Sequence, residues 1–264
     1  MQDQNEDRRA NVAVGIQGLC KKYEEPESAI TVLDALNLDV HVGEFVTIFG
    51  PNGCGKSTLL KILAGLVPYE DGSVHINGAT PGNAKVGYVF QSFEATLFPW
   101  RRNLDNVAFP LELAGRGRRE RRRIAREFMK QMSISLPENG YPYRLSGGQQ
   151  QLVSISRALI AEPKVLLMDE PFNQLDYQTR MNMHLKTLEL WQRTGTTVLF
   201  VSHDIDEALL LGDRTVLLSK RPAHVVEILT NTLSRPRDHE MLKSQEFFNL
   251  RSKALEVFRR ALAE

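Results

Sequence analysis

Residues 50–58 have the residue types and the spacing that bind the phosphate chain of a nucleotide. They fit the pattern G-x-x-x-x-G-K-[ST], in which glycines let backbone N–H groups curl around phosphate oxygens. Lys56 would reach the β- and γ-phosphates, and the hydroxyl of Ser57 would coordinate Mg²⁺. The alternative is a chance glycine loop, which arises in roughly one chain of this length in a hundred. The residues that we predict to bind nucleotide are Gly50, Pro51, Asn52, Gly53, Cys54, Gly55, Lys56, Ser57 and Thr58.

Two consecutive acids, Asp169 and Glu170, follow an apolar run at residues 165–168. Because ligand sites in open parallel sheets lie beyond the carboxyl ends of the strands, both carboxylates would face the phosphates. Asp169 would hold Mg²⁺, directly or through water. Glu170 would orient or deprotonate the attacking water. An acidic pair after a strand is by itself more often a helix cap, so this interpretation depends on the phosphate loop.

The segment at residues 145–149 reads Leu-Ser-Gly-Gly-Gln and has two interpretations. As local structure, Ser146 would cap a helix with Gln149 as its capping-box partner. Two consecutive glycines at a helix start cost about 1 kcal/mol each relative to alanine, which a cap does not explain. Bare backbone amides would explain them, because at a helix N-terminus they form a second anion-binding site. We expect the cap as local structure and the anion site as the function.

The 264 residues have the composition of an ordinary globular protein. Lysine and arginine number 33 against 32 acidic residues, which gives a formal net charge of +1, and 42% of the residues are hydrophobic. The 18 glycines and 12 prolines are an average share and exclude collagen-like and low-complexity classes. The two cysteines, Cys20 and Cys54, indicate a reducing compartment rather than a disulfide framework. Of these thiols, Cys54 would be the more reactive one in the absence of nucleotide.

We expect this chain neither to cross a membrane nor to begin with a secretory signal. The longest apolar runs, such as residues 165–168 and 198–201, are four residues long. A helix that spans a bilayer needs about 20 apolar residues. Residues 1–9 are polar and lack the apolar segment of a signal peptide. These observations predict a cytosolic protein.

Strands and helices alternate along the sequence in the order that would position these motifs. Several strands are short, unbroken apolar runs, which indicate a mostly parallel sheet covered on both faces. Between about residues 92 and 157 the pattern is helical, and we expect an inserted subdomain there. The predicted strands are 12–19, 36–42, 44–49, 73–77, 86–90, 165–168, 198–201, 215–219 and 224–229. The predicted helices include 57–66, 177–194 and 250–262.

Taken in this order, the motifs resemble those of the ATP-binding subunits of ABC transporters. The phosphate loop corresponds to Walker A, residues 145–149 to the family signature, and residues 165–170 to Walker B with its catalytic glutamate. The resemblance spans about residues 12–229. It implies a P-loop α/β ATPase with a mostly parallel core sheet, an antiparallel β subdomain and an inserted helical subdomain. We therefore expect a flexible lead at 1–11, an ATPase domain at 12–233 with its helical subdomain at about 92–157, and a short helical tail at 234–264.

The resemblance also assigns roles to four residues outside the main motifs. Tyr23 corresponds to the aromatic residue that stacks on adenine, and Gln91 to the glutamine beside Mg²⁺ and the transmembrane partner. Asp176 matches the D-loop. His203 matches the switch histidine that contacts the γ-phosphate, although a lone histidine after a strand is more often a packing or capping residue. The implied catalytic set is Glu170, His203 and Gln91, and the implied metal set is Ser57, Gln91 and Asp169.

In this family two subunits pair head to tail, and the signature of one closes over the ATP of the other. We therefore expect a partner ATPase subunit, which is a second copy or a paralogue, and nucleotide contacts from Ser146, Gly147, Gly148 and Gln149. ATP would favour the closed pair because it contacts both partners only in that form. Leu152, where many relatives have arginine, and Gln174, where alanine is frequent, are departures that bear on contacts across the pair.

Two functional classes fit these motifs: membrane transport, and a nucleotide switch acting on a nucleic-acid or ribosomal partner. Repair proteins carry a long coiled coil between the phosphate loop and the signature, but only the 87 residues 59–145 lie between them here, without sustained heptads. Ribosomal relatives normally contain two ATPase modules. The seven arginines at 116–126 could bind nucleic acid. The small net charge and the lack of aromatic residues in this run favour a solvated basic helix and a transporter without a nucleic-acid partner.

Within the transporters, the sequence resembles the subgroup that imports nitrate, sulfonates, taurine or bicarbonate. The segments that carry this likeness are 50–58, 99–101, 105–107, 202–208 and 235–238. Phe98 and Trp100, shortly after Gln91, fall where the family docks a membrane permease subunit. Exposed apolar side chains there would mark a partner surface. The resemblance implies an ATPase that uses ATP and Mg²⁺ at the cytoplasmic face of the inner membrane, with permease subunits and, indirectly, an external solute-binding protein.

Overall fold

The structure is a computed structural model that describes residues 11–24 and 29–263, and its strands form two sheets. Residues 1–10 of the predicted lead lie outside the described residues. The strands are β1 (Val12–Glu24), β2 (Ala29–His41), β3 (Phe45–Phe49), β4 (Asp71–Ile76), β5 (Val86–Val89), β6 (Val165–Asp169), β7 (Thr197–Ser202), β8 (Arg214–Leu218) and β9 (Val225–Thr230).

Helices surround these strands. The α-helices of the described ranges are α1 (Lys56–Leu63), α2 (Phe93–Thr96), α3 (Asn103–Val107), α4 (Phe109–Leu113), α5 (Arg118–Gln131), α6 (Gly147–Leu159), α7 (Tyr177–Thr194), α8 (Ile205–Leu211) and α9 (Gln245–Ala263). Short 3₁₀ helices lie at Pro142–Arg144 and His239–Lys243. In the part of the chain that the structure describes, no helix is both long enough and apolar enough to cross a bilayer.

The core sheet has six strands in the order β5-β6-β7-β3-β8-β9. All neighbours in it are parallel except β8 and β9, which pair antiparallel. Every residue of β3, β6 and β7 is buried, as expected for strands covered on both faces. The carboxyl ends of these three strands therefore meet at one edge of the sheet. The phosphate loop follows β3, Asp169 ends β6 and Glu170 follows it, and His203 follows β7. The sheet therefore brings these residues together at this edge.

The second sheet is antiparallel, with the order β2-β1-β4, and it confirms the antiparallel β subdomain implied by the resemblance. Its buried side chains, such as Val14 and Leu38, share one apolar cluster with Leu59 and Leu60 of α1. The β1–β2 pairing extends to Tyr23 and Ile30, well beyond the predicted strand ends. This continuation uses backbone hydrogen bonds, which do not require the alternating apolar pattern on which the prediction relied.

Helix α1 ends earlier than its apolar pattern predicted. The predicted helix ran to Leu66, whereas α1 ends at Leu63. Gly65 has a φ of +70°, and the N–H of Leu66 donates to the carbonyl of Lys61 at 2.9 Å, a typical glycine-terminated helix end. A Cβ at Gly65 would also lie 2.4 Å from the backbone nitrogen of Gly82, so only glycine fits at this position.

The arginine run overlaps helix α5, an amphipathic helix whose buried residues are Ala125 and Met129. Five of its seven arginines form ion pairs within 4 Å with acidic side chains of the same chain. These pairs are Arg116 with Glu120, Arg121 with Glu112, Arg122 with Asp105, Arg123 with Glu127, and Arg126 with Glu138. The run is therefore a solvated and internally neutralised helix face, as its composition predicted.

The C-terminal helix α9 packs against the core sheet rather than standing apart from it. Phe247 and Ala254 are buried in a cluster with residues of α8. The ring of Phe258 lies 4.8 Å from the ring of Phe49 at the end of β3. Arg251 pairs with Asp206 of α8 at 2.8 Å. The helix begins at Gln245, five residues before the predicted start.

Candidate active site

A cavity of about 270 Å³ opens where the phosphate loop meets the end of β6. Its wall has an apolar part from β1 and β2 and a polar part from the phosphate loop, α1, Glu170 and Arg221. This combination suits a molecule with an aromatic base at one end and phosphates at the other. The lining residues are Tyr23, Ile30, Val32, Gly53, Gly55, Lys56, Ser57, Thr58, Glu170 and Arg221.

Lys56 is buried at the floor of this cavity, at the first turn of α1. Its Nζ donates to the carbonyl oxygens of Gly50 at 2.9 Å and Pro51 at 3.0 Å, which holds the loop around the ammonium group. Gly55 has a φ of +132°, and a Cβ there would lie 2.8 Å from Leu33. Glycine is therefore required where the loop packs against β2. The N–H groups at the start of α1 and the ammonium of Lys56 together form an anion-binding surface.

Ser57 and Asp169 join the phosphate loop to the end of β6. The hydroxyl of Ser57 donates to Oδ1 of Asp169 at 2.8 Å, and the hydroxyl of Tyr88 donates to Oδ2 at 3.2 Å. Burial raises the pKa of the Asp169 carboxyl above its usual value, and these two hydrogen bonds partly oppose that effect. Burial and the nearby Asp169 raise the pKa of Tyr88, so its hydroxyl stays protonated and donates. Sequence reasoning did not identify Tyr88.

These oxygen atoms could hold a hard divalent cation. A serine hydroxyl and a carboxylate next to a phosphate site are the donors that Mg²⁺ prefers in proteins, usually with phosphate oxygens and water completing the shell. Asp169 is 5% exposed and pays a desolvation cost that a bound cation would relieve. The donor set of Ser57 and Asp169 therefore fits Mg²⁺.

Glu170 stands between Lys56 and His203. Its backbone has a φ of +43°, which is uncommon for a residue other than glycine and is typical of strained positions at functional sites. Oε1 lies 3.8 Å from Nζ of Lys56, and Oε2 lies 3.3 Å from Nδ1 of His203. The side-chain amide of Asn173 also donates to Oε2. The carboxylate is thus fixed at the cavity with a cation on one side and an imidazole on the other.

The residue before His203, Ser202, belongs to a buried polar group that sequence reasoning missed. Ser202, its neighbour at the end of β7, donates a hydrogen bond to Oε2 of Glu207, and Oε1 of Glu207 lies 2.7 Å from Nε2 of His184. Asp204 caps α8 by accepting the N–H groups of residues 206 and 207. The hint in the sequence is a second acidic residue, Glu207, directly before the apolar run Ala-Leu-Leu-Leu.

Tyr23 is part of the cavity wall, whereas Gln91 is not. Tyr23 lines the cavity at the end of β1, and Nζ of Lys21 lies 4.8 Å from the centre of its ring. Gln91 is exposed after β5 and is not among the cavity's lining residues. The structure thus brings the predicted aromatic residue to the cavity, and the predicted glutamine is not among the residues that line it.

The signature segment and Asp176 are also outside the lining. Ser146 and Gln149 form the predicted capping box of α6, with hydrogen bonds of 3.4 and 3.1 Å. Asp176 caps α7, where its Oδ1 accepts the N–H of Thr179 at 3.0 Å. A Cβ at Gly148 would lie 2.5 Å from the side chain of Thr179. The close approach of α6 and α7 is therefore a structural reason for one of the two glycines that the sequence argument attributed to anion binding alone.

Cys54 differs from its predicted chemistry. The expectation that it is the more reactive thiol is wrong, because its side chain is 2% exposed. Burial raises the pKa of the Cys54 thiol, and the smaller opposing effects come from Lys56 and Arg221. A protonated, buried thiol is a poor nucleophile. Cys54 serves the loop as a small apolar side chain in the core cluster beneath it.

Comparison with known proteins places these residues in a family context. The family model for ABC transporters matches residues 33–173. An uncharacterised ABC transporter ATP-binding protein of Methanocaldococcus jannaschii is 44% identical over 95% of this chain and 93% of its own. The aliphatic sulfonates import ATP-binding protein SsuB of Bacillus thuringiensis subsp. konkukian is 39% identical over 94% of this chain and 96% of its own. The taurine import ATP-binding protein TauB of Escherichia coli (strain K12) is 46% identical over 77% of this chain and 80% of its own.

Solved structures show the same likeness. An ATP-binding cassette solved as a dimer in a post-hydrolysis state, bound to ADP and Pi, superposes with a TM-score of 0.72. It is 35% identical in sequence, and the match covers 84% of this chain and all of the other. The matched family span contains the phosphate loop, the signature segment and the acidic pair.

Proposed function

This chain belongs to the ABC transporter family and is an ATP-hydrolysing cassette, and from that premise we propose that it powers the import of a small anion through separate membrane subunits. The observation that carries the catalytic part is the position of Glu170, whose carboxylate lies between Lys56 and His203 at the end of β6. A carboxylate so fixed can accept a proton from an attacking water.

In the proposed mechanism the apolar part of the cavity holds the base. Tyr23 stacks on adenine, and Ile30 and Val32 pack beside it. The backbone amides of the phosphate loop and Lys56 bind the phosphates. Ser57 and Asp169, joined by Gln91 in this proposal, would hold Mg²⁺, which would supply charge neutralisation at the phosphates. Asp169 is anchored for this task by its bonds from Ser57 and Tyr88.

Hydrolysis then depends on two side chains beyond the phosphate loop. Glu170 orients the water and accepts its proton, and its bond from Asn173 keeps the carboxylate pointed into the cavity. His203 contacts the γ-phosphate, and its Nδ1 lies 3.3 Å from Oε2 of Glu170. Its ring thereby links the γ-phosphate to the Glu170 carboxylate. Positioning and charge stabilisation account for most of the catalysis of phosphoryl transfer, so small displacements of either side chain are costly.

We further propose that two ATPase subunits, either two copies or two paralogues, are needed to complete each site. The residues Ser146, Gly147, Gly148, Gln149 and Asp176 are not part of the cavity of their own chain. The related cassette bound to ADP and Pi is a dimer. In a head-to-tail pair the amides at the start of α6 close over the nucleotide of the partner, where they act as a second anion site. One chain by itself therefore binds ATP but hydrolyses it poorly.

The proposed solute comes from the names of the relatives. The names of two relatives specify aliphatic sulfonates and taurine, and we place the cargo among sulfonates, taurine, nitrate and bicarbonate.

Trp100 is 72% exposed, which supports a permease contact there. The chain would then lie at the cytoplasmic face of the inner membrane, bound to permease subunits that receive solute from an external binding protein.

A reconstituted complex tests this function. The subunit is purified with its membrane partners and inserted into vesicles with the ATPase outside. A binding protein and each labelled anion are enclosed in the lumen, and Mg²⁺ and ATP are added outside. We expect ATP-dependent release of one of the four solutes on the ATPase side, and none from a complex that carries Glu170→Gln. Hydrolysis without movement of any of these solutes would reject the proposed cargo, and a wild-type chain without hydrolysis would reject the catalytic assignment.

The competing role, a nucleotide switch on nucleic acid or the ribosome, receives no support from the arginine helix. Its guanidinium groups are largely paired with carboxylates of the same chain. A phosphate backbone would have to displace these acids before binding.

A further inference from the structure

Arg221 is a cation in the wall of the nucleotide cavity that no sequence motif indicated. It lines the cavity together with Lys56, the other basic residue of the wall. Its Nε donates to the carbonyl oxygen of Gly53 at 3.2 Å, and its Nη2 donates to the same oxygen. Arg221 lies 168 residues from Gly53, in the turn between β8 and β9. The turn thus reaches across to the phosphate loop.

The turn that carries Arg221 is fixed against the apolar wall of the cavity. The N–H of Ala223 donates to the carbonyl of Val32 at 2.8 Å, and the N–H of Asp34 donates to the carbonyl of Ala223 at 3.0 Å. The hydroxyl of Ser219 accepts the N–H of His224 at 3.0 Å and closes the turn. Because Val32 itself lines the cavity, these bonds hold the backbone on both sides of Arg221 at the site.

The contact with Gly53 fixes the loop immediately before Lys56. Gly53 has a φ of +74°, and its carbonyl points to the guanidinium of Arg221. On the other side of the same peptide, the N–H of Cys54 donates to the carbonyl of Pro51 at 3.3 Å. Both polar groups of this peptide are therefore held, which sets the curvature of the loop where it would wrap the phosphates.

The charge of Arg221 also acts in the cavity. A guanidinium presents five donors in a plane, and the bonds to Gly53 use only Nε and Nη2. The guanidinium lowers the pKa of the nearby Cys54 thiol against the larger effect of burial, so its field extends into the loop. Guanidinium groups bind phosphate oxygens through paired N–H donors and keep their charge at every physiological pH.

We propose that Arg221 is a nucleotide-binding residue, which supports the phosphate loop through Gly53 and adds a second positive charge beside Lys56 for the polyphosphate of ATP. The assignment rests on the proposed function, since it takes ATP as the ligand of this cavity. It predicts a contribution to nucleotide affinity and not to the chemical step, because Arg221 contacts the loop and not Glu170.

Three variants test the assignment: Arg221→Ala, Arg221→Lys and the control Lys220→Ala. Lys220 is the adjacent basic residue of the same turn, but its Nζ points to the carbonyl of Leu262 in α9 and it does not line the cavity. ATP binding is measured by calorimetry in a Glu170→Gln background, so that nucleotide is not consumed. We expect Arg221→Ala to weaken ATP binding about tenfold, and in the wild-type background to raise KM with kcat within about twofold. Arg221→Lys recovers part of the affinity, and Lys220→Ala binds like its parent.

Wild-type affinity in Arg221→Ala, or an equal loss in Lys220→Ala, would overturn the assignment. Thermal unfolding without nucleotide separates binding from folding: we expect Arg221→Ala to unfold within about 2 °C of the parent but to gain less stability from saturating ATP. A variant that unfolds far below the parent without nucleotide would assign Arg221 to the fold instead. If the parent chain itself binds no ATP, the proposed function fails; if the parent binds and Arg221→Ala binds equally, only this inference fails.

Discussion

Oδ1 of Asp169 accepts a 2.8 Å hydrogen bond from the hydroxyl of Ser57, although the two residues are 112 positions apart. The core sheet explains the contact, because β3 and β6 both pair with β7 and end at the same edge. Ser57 in the first turn of α1 and Asp169 at the end of β6 therefore meet beside the cavity. This pairing of a hydroxyl with a carboxylate is the basis of the proposed metal site.

Asp169→Asn removes the anionic ligand while keeping the size of the side chain and an acceptor for Ser57. We expect the hydrolysis rate to fall by about 100-fold or more, because a neutral amide attracts Mg²⁺ far less than a carboxylate does. Initial rates are measured as a function of Mg²⁺ concentration, and the concentration for half-maximal rate should rise. Asp71→Asn, at the exposed start of β4, is the matched control and should leave the curve unchanged. An unaltered Mg²⁺ dependence in Asp169→Asn would remove this residue from the metal site.

Glu170→Gln tests the proposed general base with a change of one atom. The glutamine retains the volume of the carboxylate but cannot accept the proton of water, so we expect the rate to fall by roughly two to three orders of magnitude while ATP stays bound. Because the bound γ-phosphate then persists, the variant should accumulate as an ATP-bound dimer, which light scattering detects.

The control for Glu170→Gln is Glu127→Gln, which alters an exposed carboxylate on α5 that pairs with Arg123. It should hydrolyse ATP and remain monomeric to the same extent as the wild type. Normal turnover by Glu170→Gln would show that another group activates the water.

Much of the fold and the site could be predicted because local pattern and sheet topology agree. The buried strands β3, β6 and β7 are unbroken apolar runs, and each is followed by polar residues that the parallel sheet must bring to one edge. The juxtaposition of Lys56, Glu170 and His203 follows from that rule together with the resemblance. The ends of the antiparallel strands did not follow, because β1 continues through the polar residues Lys21, Lys22 and Glu24 by backbone pairing with β2.

Other features depend on contacts between segments far apart in sequence. Arg221 reaches Gly53 only because the β8–β9 turn packs against β2, and no spacing in the sequence encodes that. Gly148 is required by the approach of Thr179 from α7. The burial of Cys54 reverses the reactivity expected from its place in the phosphate loop. Each of these needs the three-dimensional arrangement before its physical reason can be stated.

Phe98 and Trp100, which the sequence joined as one docking surface, should behave differently when substituted. Phe98 is half-buried, with its ring 4.7 Å from that of Phe109 and beneath the guanidinium of Arg157, whereas Trp100 projects into solvent. We expect Trp100→Ala to leave the hydrolysis rate and unfolding temperature of the isolated subunit unchanged and to reduce solute uptake by the reconstituted complex. Phe98→Ala should lower the free energy of unfolding by about 1–3 kcal/mol.

Leu66→Ala provides the comparison, since Leu66 is another exposed apolar residue but follows α1 and does not belong to the segment 98–100. It should affect neither uptake nor stability. Uptake that survives Trp100→Ala in full would place the permease contact elsewhere on the surface.

Glu207 should be essential for stability because it is a buried carboxylate shared by two partners. Its oxygens contact Ser202 and His184, and Nδ1 of His184 has no hydrogen-bond partner within the described residues. In Glu207→Ala the Ser202 hydroxyl and the His184 imidazole would stay buried without their carboxylate partner. We therefore expect the free energy of unfolding to fall by roughly 2–4 kcal/mol. Urea unfolding measures this, with the slope of the transition serving as a check on two-state behaviour.

Glu207→Gln separates the hydrogen bonds from the charge, because the amide can still accept from Ser202. We expect it to lose less stability than Glu207→Ala and to keep a hydrolysis rate close to that of the wild type, since the retained bond to Ser202 still positions the adjacent His203 at Glu170. Glu256→Ala, an exposed carboxylate of α9 paired with Arg260, should change stability by less than about 0.5 kcal/mol. Equal stability of Glu207→Ala and Glu256→Ala would mean that the buried carboxylate does not hold the segment behind His203.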